Sequence, residues 1–170
     1  AMGCPYQGEV PVADVAMAVR ELMALGCYEV SIGDTIGVGT PVQVQQVLAA
    51  CLQEAPAHQL AMHFHDTYGQ ALANLLAGLE LGVTTIDASV AGLGGCPYAS
   101  GASGNVSTED VVYMLHGMGL HTGIDLDRLV DTSHWICQAL NRKNQSRVAL
   151  AMGSRVSQCV NNNNADNNRG

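Results

Sequence analysis

Apolar residues recur at helical spacing in five segments of the chain, which predicts five helices. From Val12 to Leu25 they occupy positions 12, 15, 16, 19, 22 and 23, and Gly26 is the expected stop. The second helix starts at Thr40, a candidate N-cap, followed by Pro41. The remaining helices are predicted over 70–81, from a cap at Ser107 onward, and over 126–140.

Three short apolar runs lie between these helices and predict strands over 27–32, 59–65 and 83–90. Strands that alternate with helices indicate an α/β fold with a parallel sheet. Three strands are too few for a closed (β/α)8 barrel, which takes eight strands and about 250 residues. The asparagine-rich end of the chain predicts disorder, so we place one domain at 1–150 and a disordered tail at 151–170.

The composition indicates one folded domain and argues against two classes of partner. The chain has 170 residues, of which 48% are hydrophobic and 13% charged, as expected for one domain with a buried core. A net charge of −8 without a basic cluster argues against nucleic acid and against an anionic membrane as partners. The six cysteines form no CxxC pair, and the sequence has no secretory signal, so we expect reduced thiols in the cytoplasm.

Two histidines lie at the end of the second predicted strand. His63 and His65 are two positions apart, so on a strand their side chains point to the same face. Two imidazoles are a partial metal site that carboxylate or amide oxygens must complete, and Asn105 can supply one such oxygen. The alternative is a pair of polar interior histidines held only by hydrogen bonds.

Aspartate and threonine follow two of the predicted strands, as Asp34-Thr35 and Asp66-Thr67. In (β/α) enzymes the catalytic residues lie at the carboxyl ends of the parallel strands. We predict that Asp34 acts in the active site and that Asp66 and Glu109 support metal ligands through hydrogen bonds. The alternative is that each Asp-Thr pair closes a turn and caps a helix, and that Glu109 only favours a helix N-terminus.

A glycine-rich loop carrying one cysteine follows the third predicted strand. It reads Gly92-Leu93-Gly94-Gly95-Cys96-Pro97-Tyr98. Such a loop can close over a ligand, and a thiol within it can transfer a proton if its pKa is shifted. The alternative is that Cys96 packs as a small apolar residue, which is the usual role of a free cysteine.

Three motifs together resemble 3-hydroxy-3-methylglutaryl-CoA lyases over roughly residues 3–150. They are Ser31-Ile32-Gly33-Asp34-Thr35-Ile36-Gly37, His63-Phe64-His65-Asp66-Thr67-Tyr68-Gly69, and the loop around Cys96. The cysteine loop is specific to this family. The histidine motif is shared with homocitrate synthases, isopropylmalate synthases and related metal-dependent barrels.

The resemblance implies a TIM barrel that cleaves 3-hydroxy-3-methylglutaryl-CoA to acetyl-CoA and acetoacetate with Mg²⁺ or Mn²⁺. By motif, His63, His65 and Asn105 match the metal ligands, Cys96 the catalytic loop cysteine and Asp34 an active-site acid. The implied partners are an acyl-CoA substrate and a second subunit in a homodimer. The implied compartment is the cytoplasm, or the mitochondrial matrix if a transit peptide directs the protein there.

The family's remaining metal-binding aspartate and its catalytic arginine belong to the first barrel strand, which this sequence does not contain. The chain therefore resembles the C-terminal part of the barrel, strands six to eight, and we expect little lyase activity from it alone. A second hypothesis is a non-catalytic barrel remnant or a subunit that needs a complementary N-terminal half. A third is a related Claisen-type acyl-CoA synthase, which the cysteine loop disfavours.

Overall fold

The computed structural model describes residues 2–95 and 104–153. The chain divides into two compact units. The first contains the described residues of 1–89 and 94–106, and the second contains residues 90–93 and the described residues from 107 onward. The three residues of the predicted metal site, His63, His65 and Asn105, all belong to the first unit.

The first unit is a parallel three-stranded sheet with helices between its strands, preceded by a short antiparallel hairpin. In chain order its elements are β1 (Gly3–Cys4), β2 (Gly8–Glu9), α1 (Val12–Ala24), β3 (Val30–Asp34), α2 (Pro41–Cys51), β4 (Leu60–Phe64), α3 (Ala71–Glu80) and β5 (Thr85–Asp87). Strand β4 lies between β3 and β5, and all three are parallel. The predicted α/β fold class is confirmed.

The two faces of the sheet differ in polarity because side chains alternate along each strand. Ile32, Met62 and Phe64 are buried on one face, together with the apolar sides of the helices. On the other face the register places Gly33 beside His63 and His63 beside Asp87. The polar face therefore carries the histidines, and the apolar face supplies the core.

Local chemistry explains where two of the helices lie. Helix α2 starts with a capping box, in which the Gln43 side chain accepts a hydrogen bond from Thr40 N at 3.0 Å. Helix α3 approaches β4 closely at Gly78, where an added Cβ would overlap the sulfur of Met62. Glycine at this position therefore allows the helix to cover the apolar face of β4.

The second unit is helical. It contains α4 (Thr108–Gly117), α5 (Leu126–Ala139) and a further helix described over 147–153. Asp110 holds the start of that helix by accepting hydrogen bonds from Ser146 Oγ at 2.8 Å and Val148 N at 2.9 Å. Helix α4 is capped by Ser107, whose side chain accepts from Asp110 N, as predicted.

The helices agree with the sequence prediction better than the strands do. The first predicted strand begins three residues too early, at Cys27, because Cys27 N still bonds to Leu22 O in the turn that ends α1. The third continues too far, because Val90–Gly92 forms a helical turn with Ala91 at φ 58°. The sequence pattern predicted neither the hairpin nor the helix from 147.

The boundary of the predicted tail stays a prediction. Residues 151–153 continue the last described helix, and the asparagine-rich segment lies outside the described residues. Within the part of the chain that the structure describes, no helix is both long and apolar enough to cross a membrane.

Candidate metal centre

The two histidines lie at the carboxyl end of β4 and face the same side. Their ring centroids are 5.5 Å apart, and the ring planes are inclined at 62°. His65 is almost fully buried, and His63 is partly exposed, with 34% of its side chain accessible. Phe64, between them, is buried on the opposite face, so the bulky ring does not separate the two imidazoles.

Asn105 lies directly beside His65. The two residues form an isolated antiparallel β-bridge. Hydrogen bonds on either side fix it, from Val106 N to Phe64 O at 3.1 Å and from Asp66 N to Gly104 O at 3.3 Å. Opposed residues of an antiparallel pair project to the same side, so the amide of Asn105 lies on the side of the two imidazoles.

Gly94 allows a close backbone approach to this amide. Its φ is 99°, and a Cβ placed on it would lie 2.6 Å from Nδ2 of Asn105. Any side chain at this position would therefore displace the asparagine and would strain the backbone. The backbone of the glycine-rich loop at Gly94 thus packs directly against the side chain of Asn105.

The donor set of His63, His65 and Asn105 fits a divalent cation that accepts both nitrogen and oxygen ligands. Two imidazoles and one amide oxygen would leave coordination positions for substrate oxygens or further protein ligands. Within the described residues no group of three or more His, Cys, Asp or Glu side chains could hold a metal ion. The candidate set contains only two side chains of these four types, His63 and His65. A metal ion bound there would therefore also need the amide oxygen of Asn105 and additional ligands.

Asp34 is fully buried at the end of β3. Its carboxylate accepts hydrogen bonds from Val38 N at 3.1 Å and Gly39 N at 2.8 Å. Burial raises the pKa of Asp34, and the hydrogen bonds from the loop partly offset that increase. In the register Asp34 is opposite Phe64, so it belongs to the apolar face of the sheet rather than to the face of His63.

These contacts show Asp34 closing the turn that follows β3. The adjoining Gly39 O accepts from Asn74 Nδ2 of α3 at 2.9 Å, which links the same turn to a helix. Asp66 is similar, because its Oδ1 accepts from Ala71 N, the first residue of α3, at 3.0 Å. Both Asp-Thr pairs thus have the turn-closing role that was the alternative, while their catalytic and supporting roles stay predictions.

Glu109 belongs to the second unit and is fully buried. Both of its carboxylate oxygens lie within hydrogen-bond distance of Ala91 N, at 2.9 and 3.0 Å. Ala91 is in the left-handed region, where a residue other than glycine needs such support, and its carbonyl accepts from Gln145 N. Glu109 therefore binds the backbone just before the glycine-rich loop, and its role toward the metal stays a prediction.

Cys96 lies outside the described residues, so its catalytic role also stays a prediction.

Two of the other cysteines are buried in helices. Burial raises the pKa of the Cys51 thiol to about 11 and also raises the pKa of the Cys137 thiol. Both remain protonated near neutral pH, as expected for cysteines that pack as apolar residues.

Asp87 is a polar neighbour of the site that the sequence pattern did not identify. Its Oδ2 is 3.7 Å from Nδ1 of His63 and accepts a hydrogen bond from Ser31 Oγ at 2.7 Å. One signal was available, because Asp87 is the only charged residue in the apolar run 83–90. Its partners could not be identified without the register of the three strands.

Known proteins resemble this chain over most of its length. The family model described as HMGL-like matches residues 1–136. The mitochondrial hydroxymethylglutaryl-CoA lyase of Gallus gallus is 58% identical over 150 residues, which cover 88% of this chain and 50% of the relative. The chain thus spans about half the length of the curated relatives that it matches.

Solved structures agree with this match. The hydroxymethylglutaryl-CoA lyase of Pseudomonas aeruginosa superposes with a TM-score of 0.87 at 54% identity, covering 91% of this chain and 51% of the other. An HMG-CoA lyase of Acinetobacter baumannii, in complex with coenzyme A and 3-methylmalate, gives 0.84 at 40% identity, covering 88% and 49%. Together with the geometry of the two histidines at a strand end, these matches show that the chain belongs to the HMGL-like family.

Proposed function

We propose that this chain forms part of a 3-hydroxy-3-methylglutaryl-CoA lyase that depends on a divalent cation. The observation that carries the proposal is the convergence of His63, His65 and Asn105 at the end of β4, in a chain 58% identical to a lyase of that name. Mg²⁺ and Mn²⁺ are the cations we propose, with the histidine pair favouring Mn²⁺ more than an all-oxygen site would.

The reaction is a retro-Claisen cleavage. A base takes the proton of the substrate's tertiary hydroxyl, and the oxygen becomes the ketone carbonyl of acetoacetate as the adjoining carbon–carbon bond breaks. The electron pair of that bond passes to the enolate of acetyl-CoA, which then takes up a proton. A divalent cation in this site supplies Lewis acidity toward the substrate oxygens and a fixed template for them. His63, His65 and Asn105 would hold it on the polar face of the sheet.

Cys96 is proposed as the residue that donates a proton to the enolate or that helps exclude water from it. Its position in a glycine-rich loop, nine residues before Asn105, supports this role. Asp34 is proposed to act on the site through the turn it closes, since its carboxylate is bound to Val38 N and Gly39 N. Asp66 and Glu109 are proposed to support the site in the same indirect way.

We further propose that β3, β4 and β5 correspond to the sixth, seventh and eighth strands of a TIM barrel. Three parallel strands with intervening helices, and a match to half the length of the lyases, support this assignment. The aspartate and arginine that the resemblance assigns to the first strand would then come from a complementary segment. An acyl-CoA substrate is supported by the coenzyme A complex of a related lyase, and a homodimer is proposed from the family.

The compartment is also a proposal. Curated relatives are named for the mitochondrion and for the cytoplasm, so either location is compatible with the family. We propose the cytoplasm, or the mitochondrial matrix if the native protein carries a transit peptide.

Product analysis of the native protein that contains this chain tests the proposed reaction. We expect 3-hydroxy-3-methylglutaryl-CoA to yield acetoacetate and acetyl-CoA in equal amounts, with the reaction stopped by EDTA and restored by Mg²⁺ or Mn²⁺. Condensation of acetyl-CoA with a 2-oxo acid, without this cleavage, would assign the protein to the related synthases. A folded protein that catalyses neither reaction would support the non-catalytic alternative.

A further inference from the structure

A hydrogen-bonded bridge crosses the polar face of the sheet beneath His63. Ser31 is on β3 and Asp87 on β5, and the two strands are separated by β4. Their side chains nevertheless meet, with Ser31 Oγ donating to Asp87 Oδ2 at 2.7 Å. A hydroxyl bound to a carboxylate at this distance is a short, charge-assisted hydrogen bond.

A small residue lies on the central strand beside the bridge. Ala61 of β4 is the register partner of Ser31 on one side and of Thr85 on the other. His63 follows two residues later on the same face, so its ring lies next to the bridge.

The bridge presents a carboxylate oxygen to one particular nitrogen of His63. Nδ1 of His63 is 3.7 Å from Asp87 Oδ2, which is within ion-pair distance and slightly beyond hydrogen-bond length. A carboxylate at Nδ1 favours the tautomer with the proton on that nitrogen. The lone pair is then on Nε2, the atom left to bind a cation.

We propose that Asp87, held by Ser31, is a positioning residue that keeps His63 protonated at Nδ1 and leaves Nε2 available to a divalent cation. This rests on the proposed function. Metal-binding histidines commonly donate their second N–H to a carboxylate, and loss of that partner weakens metal affinity about 10- to 100-fold. Because the side chains of His63 and Asp87 are 34% and 46% accessible, the contribution is one of orientation rather than of ion-pair energy.

The test measures Mn²⁺ affinity in the native protein by electron paramagnetic resonance, which detects the free ion. We expect Asp87→Ala to raise the dissociation constant about 10- to 100-fold. Asp87→Asn keeps an acceptor oxygen and should therefore retain much of the Mn²⁺ affinity that Asp87→Ala loses. Ser31→Ala should weaken Mn²⁺ binding by a smaller factor than Asp87→Ala. Glu80→Gln, at the end of α3, changes the net charge by the same amount as Asp87→Asn and should leave the affinity unchanged.

A second readout needs no metal. Nitrogen-15 chemical shifts of His63 in the metal-free protein should report an Nδ1–H tautomer that shifts toward Nε2–H in Asp87→Ala. If the native protein binds Mn²⁺ and Asp87→Ala changes neither the affinity nor the tautomer, the positioning role is wrong while the proposed function stands. If the native protein binds no Mn²⁺, the proposed function fails, and the tautomer alone decides whether Asp87 orients His63.

Discussion

Replacing His65 with alanine is expected to lower kcat/KM for 3-hydroxy-3-methylglutaryl-CoA cleavage at least about 1000-fold. The variant removes one of the three proposed cation ligands, and cation catalysis supplies several kcal/mol of barrier lowering, at about 1.4 kcal/mol for each factor of ten. His65 is the more buried of the two histidines and is paired with Asn105 in the isolated β-bridge. Water therefore cannot easily replace its imidazole. Steady-state kinetics at saturating Mg²⁺ measures the effect in the native protein.

His58→Ala is the matched control. His58 is an exposed histidine in the short helical turn before β4, outside the candidate site. We expect its kcat/KM to remain within about twofold of the native value, since surface substitutions of this kind change little. If His65→Ala folds normally and retains most of its activity, His65 is not a ligand, and the metal site as described is wrong.

Replacing Asp34 with alanine is expected to destabilise the protein by about 2–3 kcal/mol. The substitution leaves the buried Gly39 N and the partly buried Val38 N without the carboxylate that accepts their hydrogen bonds, and a buried donor that loses its acceptor costs about 1–3 kcal/mol. The loss should appear as a lower urea midpoint with an unchanged slope. Asp34→Asn retains one acceptor oxygen and should be destabilised less.

The pH dependence of the free energy of unfolding is a second test of the burial of Asp34. Burial raises the pKa of Asp34 above its ordinary value of 3.8, so the native state holds this proton more tightly than the unfolded state does. The stabilisation from that proton is fully present below pH 3.8 and is lost as the pH rises through the native pKa. Asp34→Asn should lack this decline. A decline identical to that of the native protein would contradict burial of Asp34.

Much of the candidate site could be predicted because it depends on periodicity within one element. The spacing of His63 and His65 placed both side chains on one face of a strand, and the structure confirms this. Thr40 as N-cap and Pro41 at the first position likewise predicted the start of α2. Such features depend on local backbone preferences, which a single sequence carries.

Features that depend on contacts between distant segments could not be predicted. Asn105 was predicted to join the histidines, but the β-bridge that places it beside His65 was not, because it joins residues 40 positions apart in sequence and no periodic pattern marks it. The link from Ser31 to Asp87 requires the order and register of three strands. The predicted end of the third strand failed for a similar reason, because Ser89 N bonds to Val106 O and the chain then turns at Ala91.

Complementation with a related lyase is the decisive measurement. This chain is co-expressed with the part of the Pseudomonas aeruginosa lyase that the match does not cover, and the purified complex is assayed for acetoacetate release with and without Mg²⁺ or Mn²⁺. We predict metal-dependent cleavage of 3-hydroxy-3-methylglutaryl-CoA that His65→Ala abolishes. A stable, folded complex that binds the cation and releases no acetoacetate would contradict the assignment of this chain to a working lyase.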